Sequence, residues 1–184
     1  MRRAASTPIR LALAVGIVCG LSACATTADS DGEPTSADSP APAITGTPIP
    51  LSCEQLVPTS ALTGQWAGYA PDPSFTPSSV GAEIAGFDGL VCGWASEAGS
   101  FEVAVAQLDA DVIEDLKNAS YEGSTAVPTY GKPPEIEGYF TTASGSGVAD
   151  VFVDDFWIET TGTAYVEPGD PAQLIAAAIA ALRG

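Results

Sequence analysis

"GLVCGWASEAGSFEVAVAQL" occupies residues 89–108, and its reading decides the fold. Two apolar runs flank a short polar break. In the second run Phe101, Val103 and Val105 alternate with Glu102, Ala104 and Ala106, the period of two expected of a β-strand. "GLVCGWAS" (89–96) reads as its partner strand, and "EAGS" (97–100) suits a hairpin turn.

Downstream, "DADVIEDLKNAS" (109–120) predicts a helix with Asp109 or Asp111 near its start and Val112, Ile113 and Leu116 on one face. "TAVPTYGKPPEIEG" (125–138) reads as loop. Three strands are then expected in "GYFTTAS" (138–144), "GVADVFVD" (147–154) and "FWIETTGTAYV" (156–166). "SGSG" (144–147) and Asp154-Asp155 supply the turns between them. "GDPAQLIAAAIAALRG" (169–184) predicts a closing helix, with Asp170 as N-cap, Pro171 at the first position and Gln173 completing a capping box. Leu174, Ile175, Ile179 and Leu182 form its apolar stripe.

Upstream, Ser52 and Gln55 have capping-box spacing before Leu56, and Pro58 interrupts the helix they open. Residues 63–89, rich in Gly, Pro and Ser, read as a long loop with at most one short strand. The order helix, hairpin, helix, meander, helix predicts an α+β fold: an antiparallel sheet packed with a short N-terminal helix, a middle helix and a C-terminal helix.

The N-terminus reads as an export signal. Arg2, Arg3 and Arg10 precede "LALAVGIV" (11–18), an apolar run well short of the roughly 20 residues of a membrane span. The residues after the Arg2-Arg3 pair lack the apolar pattern of twin-arginine export, so general secretion is expected. "LSAC" (21–24) has an aliphatic residue three before a cysteine and two small residues between, as a lipobox requires. Cys24 is therefore the expected lipidation site. Cys19 fails the same pattern, because β-branched Val18 precedes it. The expected organisation is a signal peptide over 1–23, a lipidated Cys24 with a disordered Pro/Ser/Thr/Ala tether over 24–50, and one domain over 51–184. As a flexible coil the 26 residues after Cys24 span roughly 30 Å. Acylation at Cys24 makes the membrane a partner and places the domain on the extracytoplasmic face.

With Cys19 removed and Cys24 acylated, Cys53 and Cys92 are left as an even pair in an oxidising compartment, which reads as a disulfide. Trp94 lies two residues beyond Cys92 and shares its sheet face. "LSCEQLVPTSAL", "VCGWAS", an alternating strand and a terminal Ala-rich helix together resemble small actinobacterial envelope lipoproteins. That group combines a lipobox, a low-complexity spacer and a domain with Cys…Cys-x-Trp. Several members have no assigned activity and some resemble extracytoplasmic sensor domains, so the resemblance implies no catalytic residues.

Charge and composition exclude several function classes. The chain of 184 residues carries 6 basic and 23 acidic side chains, a net charge of −17, and no histidine. Such a surface repels nucleic acid. The missing histidine removes Ser-His-Asp and Cys-His catalysis and the common zinc sites. Carboxylates are what remains. Asp109, Asp111 and Asp115 begin like a calcium loop but lack its glycine and closing glutamate, and read as a helix start. Asp150, Asp154, Asp155 and Glu159 surround one hairpin, with Asp150, Phe152 and Asp154 expected on one strand face. A calcium site or a glycosidase-like pair are the chemistries such a group can serve. Neither pattern is complete, so no catalytic residue, metal ligand or cofactor is assigned. Aromatics concentrate in the second half, where Tyr139, Phe152, Phe156 and Trp157 are candidates for an apolar ligand groove. The expected function is a membrane-anchored, non-enzymatic binding, sensor-like or accessory module taking an envelope protein or a small apolar ligand. The alternatives are a carrier of lipid or another hydrophobic molecule and, behind it, a carboxylate-dependent envelope hydrolase.

Overall fold

Ser52 caps the first helix as its spacing with Gln55 predicts. A computed structural model describes residues 44–184. In α1 (Cys53–Leu56) the Ser52 hydroxyl accepts from the Gln55 N–H at 3.3 Å, and the Gln55 side chain accepts from the Ser52 N–H at 2.8 Å. Past Pro58 the chain continues in two 3-10 turns, Thr59–Ala61 and Gly64–Trp66. The elements that follow are β1 (Ala70–Pro71), α2 (Ser79–Gly86), β2 (Leu90–Ser96), β3 (Gly99–Gln107), α3 (Ala110–Gly123), β4 (Thr125–Ala126), β5 (Ile136–Ala143), β6 (Ser146–Val153), β7 (Phe156–Gly162) and α4 (Ala172–Arg183).

The strands form one seven-stranded antiparallel sheet in the order β1-β2-β3-β7-β6-β5-β4. The β2–β3 hairpin and the β5–β6–β7 meander are the expected units. They join where β3 pairs with β7, Val105 opposite Ile158. Both meander turns need left-handed backbone, which Ser144 (φ 52°) with Gly145 (φ 84°) and Asp154 (φ 55°) supply. The fold is α+β, as the alternation of elements predicts.

Strand alternation sorts the core into two layers. On one face Cys92, Trp94, Phe101, Val103, Val105, Val151 and Ile158 meet Leu56 of α1 and Leu174, Ile175 and Ile179 of α4. The opposite face puts Ala104, Ala106, Phe152 and Trp157 under Ile84 of α2 and Ile113 of α3. Cys53 and Cys92 form a disulfide with 5.6 Å between their Cα atoms, tying α1 to β2. Trp94 is buried in the same layer and stacks on Phe101, ring centroids 5.1 Å apart.

Four details depart from the expectations. The stretch 63–89 contains the helix α2 in addition to the one short strand, β1, that its reading allows. Its eight helical residues include two glycines and are too few to hold a helix by propensity, so the signal is tertiary. Residues 125–138 contribute β4, and β5 starts at Ile136. The carboxylate of Asp170 does not cap α4: it accepts the N–H groups of Val166 and Glu167, each at 2.7 Å, closing the preceding turn. The helix starts after Pro171, whose own backbone is already helical, and Gln173 reaches across to Thr63 at 2.7 Å instead of completing a capping box. Finally, contacts with the domain begin upstream of Leu51. The Thr47 N–H donates to the Gln107 carbonyl at 2.9 Å, and Ile49 packs against the core. A Cβ at Gly46 would collide with the Phe87 and Gln107 carbonyls, so glycine lets the strap lie flush against the sheet end.

The expected signal peptide, the expected lipidation site Cys24 and the expected tether up to residue 43 lie outside the described residues. No helix among the described residues is long and apolar enough to cross a membrane.

Candidate functional site

Strand alternation sends Glu102, Asp150 and Glu159 to the α2/α3 face. They do not stand alone there, because register brings them side by side: Glu159 lies opposite Asp150 on β6 and Ala104 on β3, one pleat from the Glu102–Thr161 pair. Glu102 and Glu159 are 6% and 2% exposed.

Each acid is handled differently. The Glu102 carboxylate accepts the Ser78 N–H and the Ser78 hydroxyl, both at 2.8 Å. Ser78 in turn accepts from Gly81 N–H at 2.8 Å as the N-cap of α2. One carboxylate thus fixes the helix start to the sheet and complements its dipole. A Cβ at Gly81 would run into that carboxylate, which explains glycine inside so short a helix. Asp150 accepts from the Trp157 indole N–H at 2.9 Å, yet burial still raises its pKa. Glu159 has a buried Oε2 with no hydrogen-bond partner among the described residues. Burial first, then the charges of Asp150, Glu102 and Glu83, push its pKa up to about 8. At neutral pH Glu159 therefore keeps its proton.

Beyond α2 and α3 this sheet face is open, and a cleft of about 370 Å³ lies over it. Its floor is Glu102 and Thr161. Its rim comes from the 72–78 loop on one side and from Ser100, Thr163 and Ser146 at the strand ends on the other. The loop is built to stay put. Asp72 accepts from the Ser74 N–H at 2.9 Å and its hydroxyl at 2.6 Å, contacts that hold the Asp72 carboxyl below its usual pKa. The Asp72 N–H donates to the Gly93 carbonyl at 2.9 Å. The Phe75 side chain packs against Gly93, where a Cβ would overlap it. The three basic residues of the described segment, Lys117, Lys132 and Arg183, are absent from the lining. Strap residue Thr47 pairs with Gln107, at the other end of β3 from Ser100, roughly 23 Å away along the strand.

Residues singled out in the sequence are dispersed by the fold. Tyr139, Phe152 and Trp157 share the α2/α3 face, where Phe152 stacks on Trp157 at 6.5 Å and meets Tyr139 edge-on at 6.2 Å. They pack in the layer that Ile113 covers. Phe156 projects to the opposite face and lines a separate recess of about 240 Å³ with Ile49, Leu51 and Leu182. Tyr139 also borders a recess of about 250 Å³ beside Val127, Pro133 and Ile136. Of the hairpin acids, Asp150 and Glu159 meet. Asp154 sits in the turn, not on the Asp150–Phe152 face, and pairs with Arg183 at 2.9 Å. Asp155 accepts from the Gln107 amide at 2.5 Å. Asp109 precedes α3 without a side-chain cap bond, and Asp111 lies in its first turn. No group of three or more metal-ligating side chains among the described residues is placed to hold a metal ion.

Glu102 and Ser78 were not recognisable as a pair from sequence spacing, being 24 residues apart. One signal was present. Glu102 shares its strand face with Ala104 and Ala106, and two small apolar residues there mark a second buried face on which an acid needs a partner. No protein-family model, curated protein or solved structure matches the chain.

Proposed function

We propose that the protein is a lipid-anchored, extracytoplasmic, non-enzymatic binding module whose ligand enters the cleft over Glu102 and Thr161. The cleft carries this reading. It has the volume of a small-molecule site, and its walls are held rigid by the Ser78–Glu102 clasp and the Asp72 turn. The lipobox sequence at Cys24 and the Cys53–Cys92 disulfide support an envelope location. A hydrolase reading draws little support from the Asp150–Glu159 pair, because Glu159 is 2% exposed and has no room for a substrate beside it. A carrier of large hydrophobic molecules draws little from two recesses of about 250 and 240 Å³ at separate places on the domain.

The test is mass spectrometry of the protein isolated from its own membranes. Denatured, it should show an acylated N-terminal Cys24, and Cys24→Ala should leave the membrane fraction. Under native conditions it should retain a small molecule that Ser100→Trp, filling the exposed rim, releases. An unmodified N-terminus and a molecule retained equally by Ser100→Trp would overturn the reading.

A further inference from the structure

We propose that the cleft selects a small organic cation carrying N–H donors, an alkylammonium or guanidinium group. This rests on the binding-module reading and names its ligand class.

The lining is the first argument. Hydroxyls of Thr76, Ser100, Ser146, Thr161 and Thr163 and carboxylates of Asp72 and Glu102 supply acceptors, and no basic side chain is among them. An anionic ligand finds no counter-charge there, whereas a donor-rich cation finds acceptors on both walls.

The field is the second argument. Residues 44–184 carry nineteen acidic side chains against three basic ones. Two of those bases are already paired, Lys117 with Glu114 and Glu137 and Arg183 with Asp154. A concave site in such a surface concentrates negative potential.

The third argument is the buried acid behind the floor. Glu159 lies on the same strand face as Thr161, two residues away, with Oε2 buried and unpartnered. The charged groups that face it are Glu83 from α2, Glu102 from β3 and Asp150 from β6, all acidic. On β5 and α3, Glu137 and Lys117 pair with each other at 3.1 Å. The positive charge missing from this neighbourhood is what a cation in the cleft provides. Its arrival favours the ionised form of Glu159, so binding and proton release are coupled, and affinity rises as pH rises.

Calorimetric titration of the full chain at low ionic strength tests this with three probes of similar length: agmatine, which carries a guanidinium and a primary ammonium, neutral pentane-1,5-diol, and dianionic glutarate. Agmatine should bind and the other two should not. Affinity should rise several-fold from pH 6.5 to pH 9, a range in which agmatine stays charged, and Glu159→Gln should flatten that rise. Thr163→Lys and Ser100→Lys, both at exposed rim positions, should weaken agmatine at least tenfold with the melting temperature unchanged. Agmatine binding that survives both lysines, or an absence of agmatine binding, overturns the proposal. If the diol or glutarate binds and the rim lysines alter it, the cation class fails while the binding module stands. If none of the probes binds and native mass spectrometry finds no retained molecule, both fail.

Discussion

Glu102 grips Ser78 by two hydrogen bonds of 2.8 Å, one from the backbone N–H and one from the hydroxyl, and so fastens the start of α2 to the middle of the sheet. Because the carboxylate is buried, removing it strands the Ser78 N–H and hydroxyl. Hydrogen bonds to a charged group contribute about 1.5–3 kcal/mol each, with the lost desolvation of the acid offsetting part. Glu102→Ala is therefore expected to destabilise the fold by about 2–3 kcal/mol. Glu102→Gln, which keeps one acceptor, should cost about half of that. Urea midpoints measure both, and a Glu102→Ala loss below about 0.5 kcal/mol would show that the clasp contributes nothing net.

Gly81 offers an independent probe of the same clasp. On helix propensity alone, Gly81→Ala should stabilise α2 by up to about 1 kcal/mol. Here the new methyl meets the Glu102 carboxylate, so the single substitution should destabilise. Combined with Glu102→Ala, it should become neutral or stabilising. A double-mutant cycle reads this sign change directly, and additivity of the two substitutions would refute the contact.

The clasp also marks where sequence reading reached its limit. The hairpin, the meander and α4's stripe of Leu174, Ile175 and Ile179 were legible because each follows from a local period and a local turn. α2 was not, since its eight residues owe their helix to Ser78, Glu102 and burial of Ile84, all settled by tertiary contact. Asp170 shows the converse. Its position before Pro171 matches an N-cap, but the turn at Val166 and Glu167 competes for the same carboxylate and takes it. The cleft was illegible for a related reason. Its parts come from the 72–78 loop, β3, β6 and β7, and only long-range pairings, β3 with β7, β6 with β7 and the loop with Gly93 and Glu102, set them around one space.

The Cys53–Cys92 bridge closes a segment of 39 residues by sequence separation. In the chain-entropy account such a loop contributes about 4 kcal/mol by restricting the unfolded chain. Reduction, or Cys53→Ser with Cys92→Ser, should lower the urea midpoint accordingly while the sheet persists by circular dichroism. The double substitution is the better comparison, because both sulfurs are removed and no unpaired thiol remains at the buried Cys92 position. A midpoint unchanged by the double substitution would mean that the unfolded chain is already compact across this span.

Glu159 makes stability depend on pH in an unusual direction. Its pKa is pushed up to about 8 in the folded chain, above the ordinary glutamate value of 4.5, first by burial and then by Asp150, Glu102 and Glu83. Between those two values the folded state holds a proton that the unfolded state has released. Stability therefore falls as pH rises through that window, the reverse of an acid held by a salt bridge. The raised pKa of Asp150 acts in the same sense, whereas the lowered pKa of Asp72 stabilises the fold as pH rises out of the acid range. The wild-type urea midpoint should thus be higher at pH 6 than at pH 8.5, by an amount on the order of a few kcal/mol in unfolding free energy. Glu159→Gln keeps the shape and cannot ionise, so it should leave the midpoint at pH 6 little changed, raise it at pH 8.5 and flatten the slope between. Equal slopes for the two proteins would place the proton elsewhere than on Glu159.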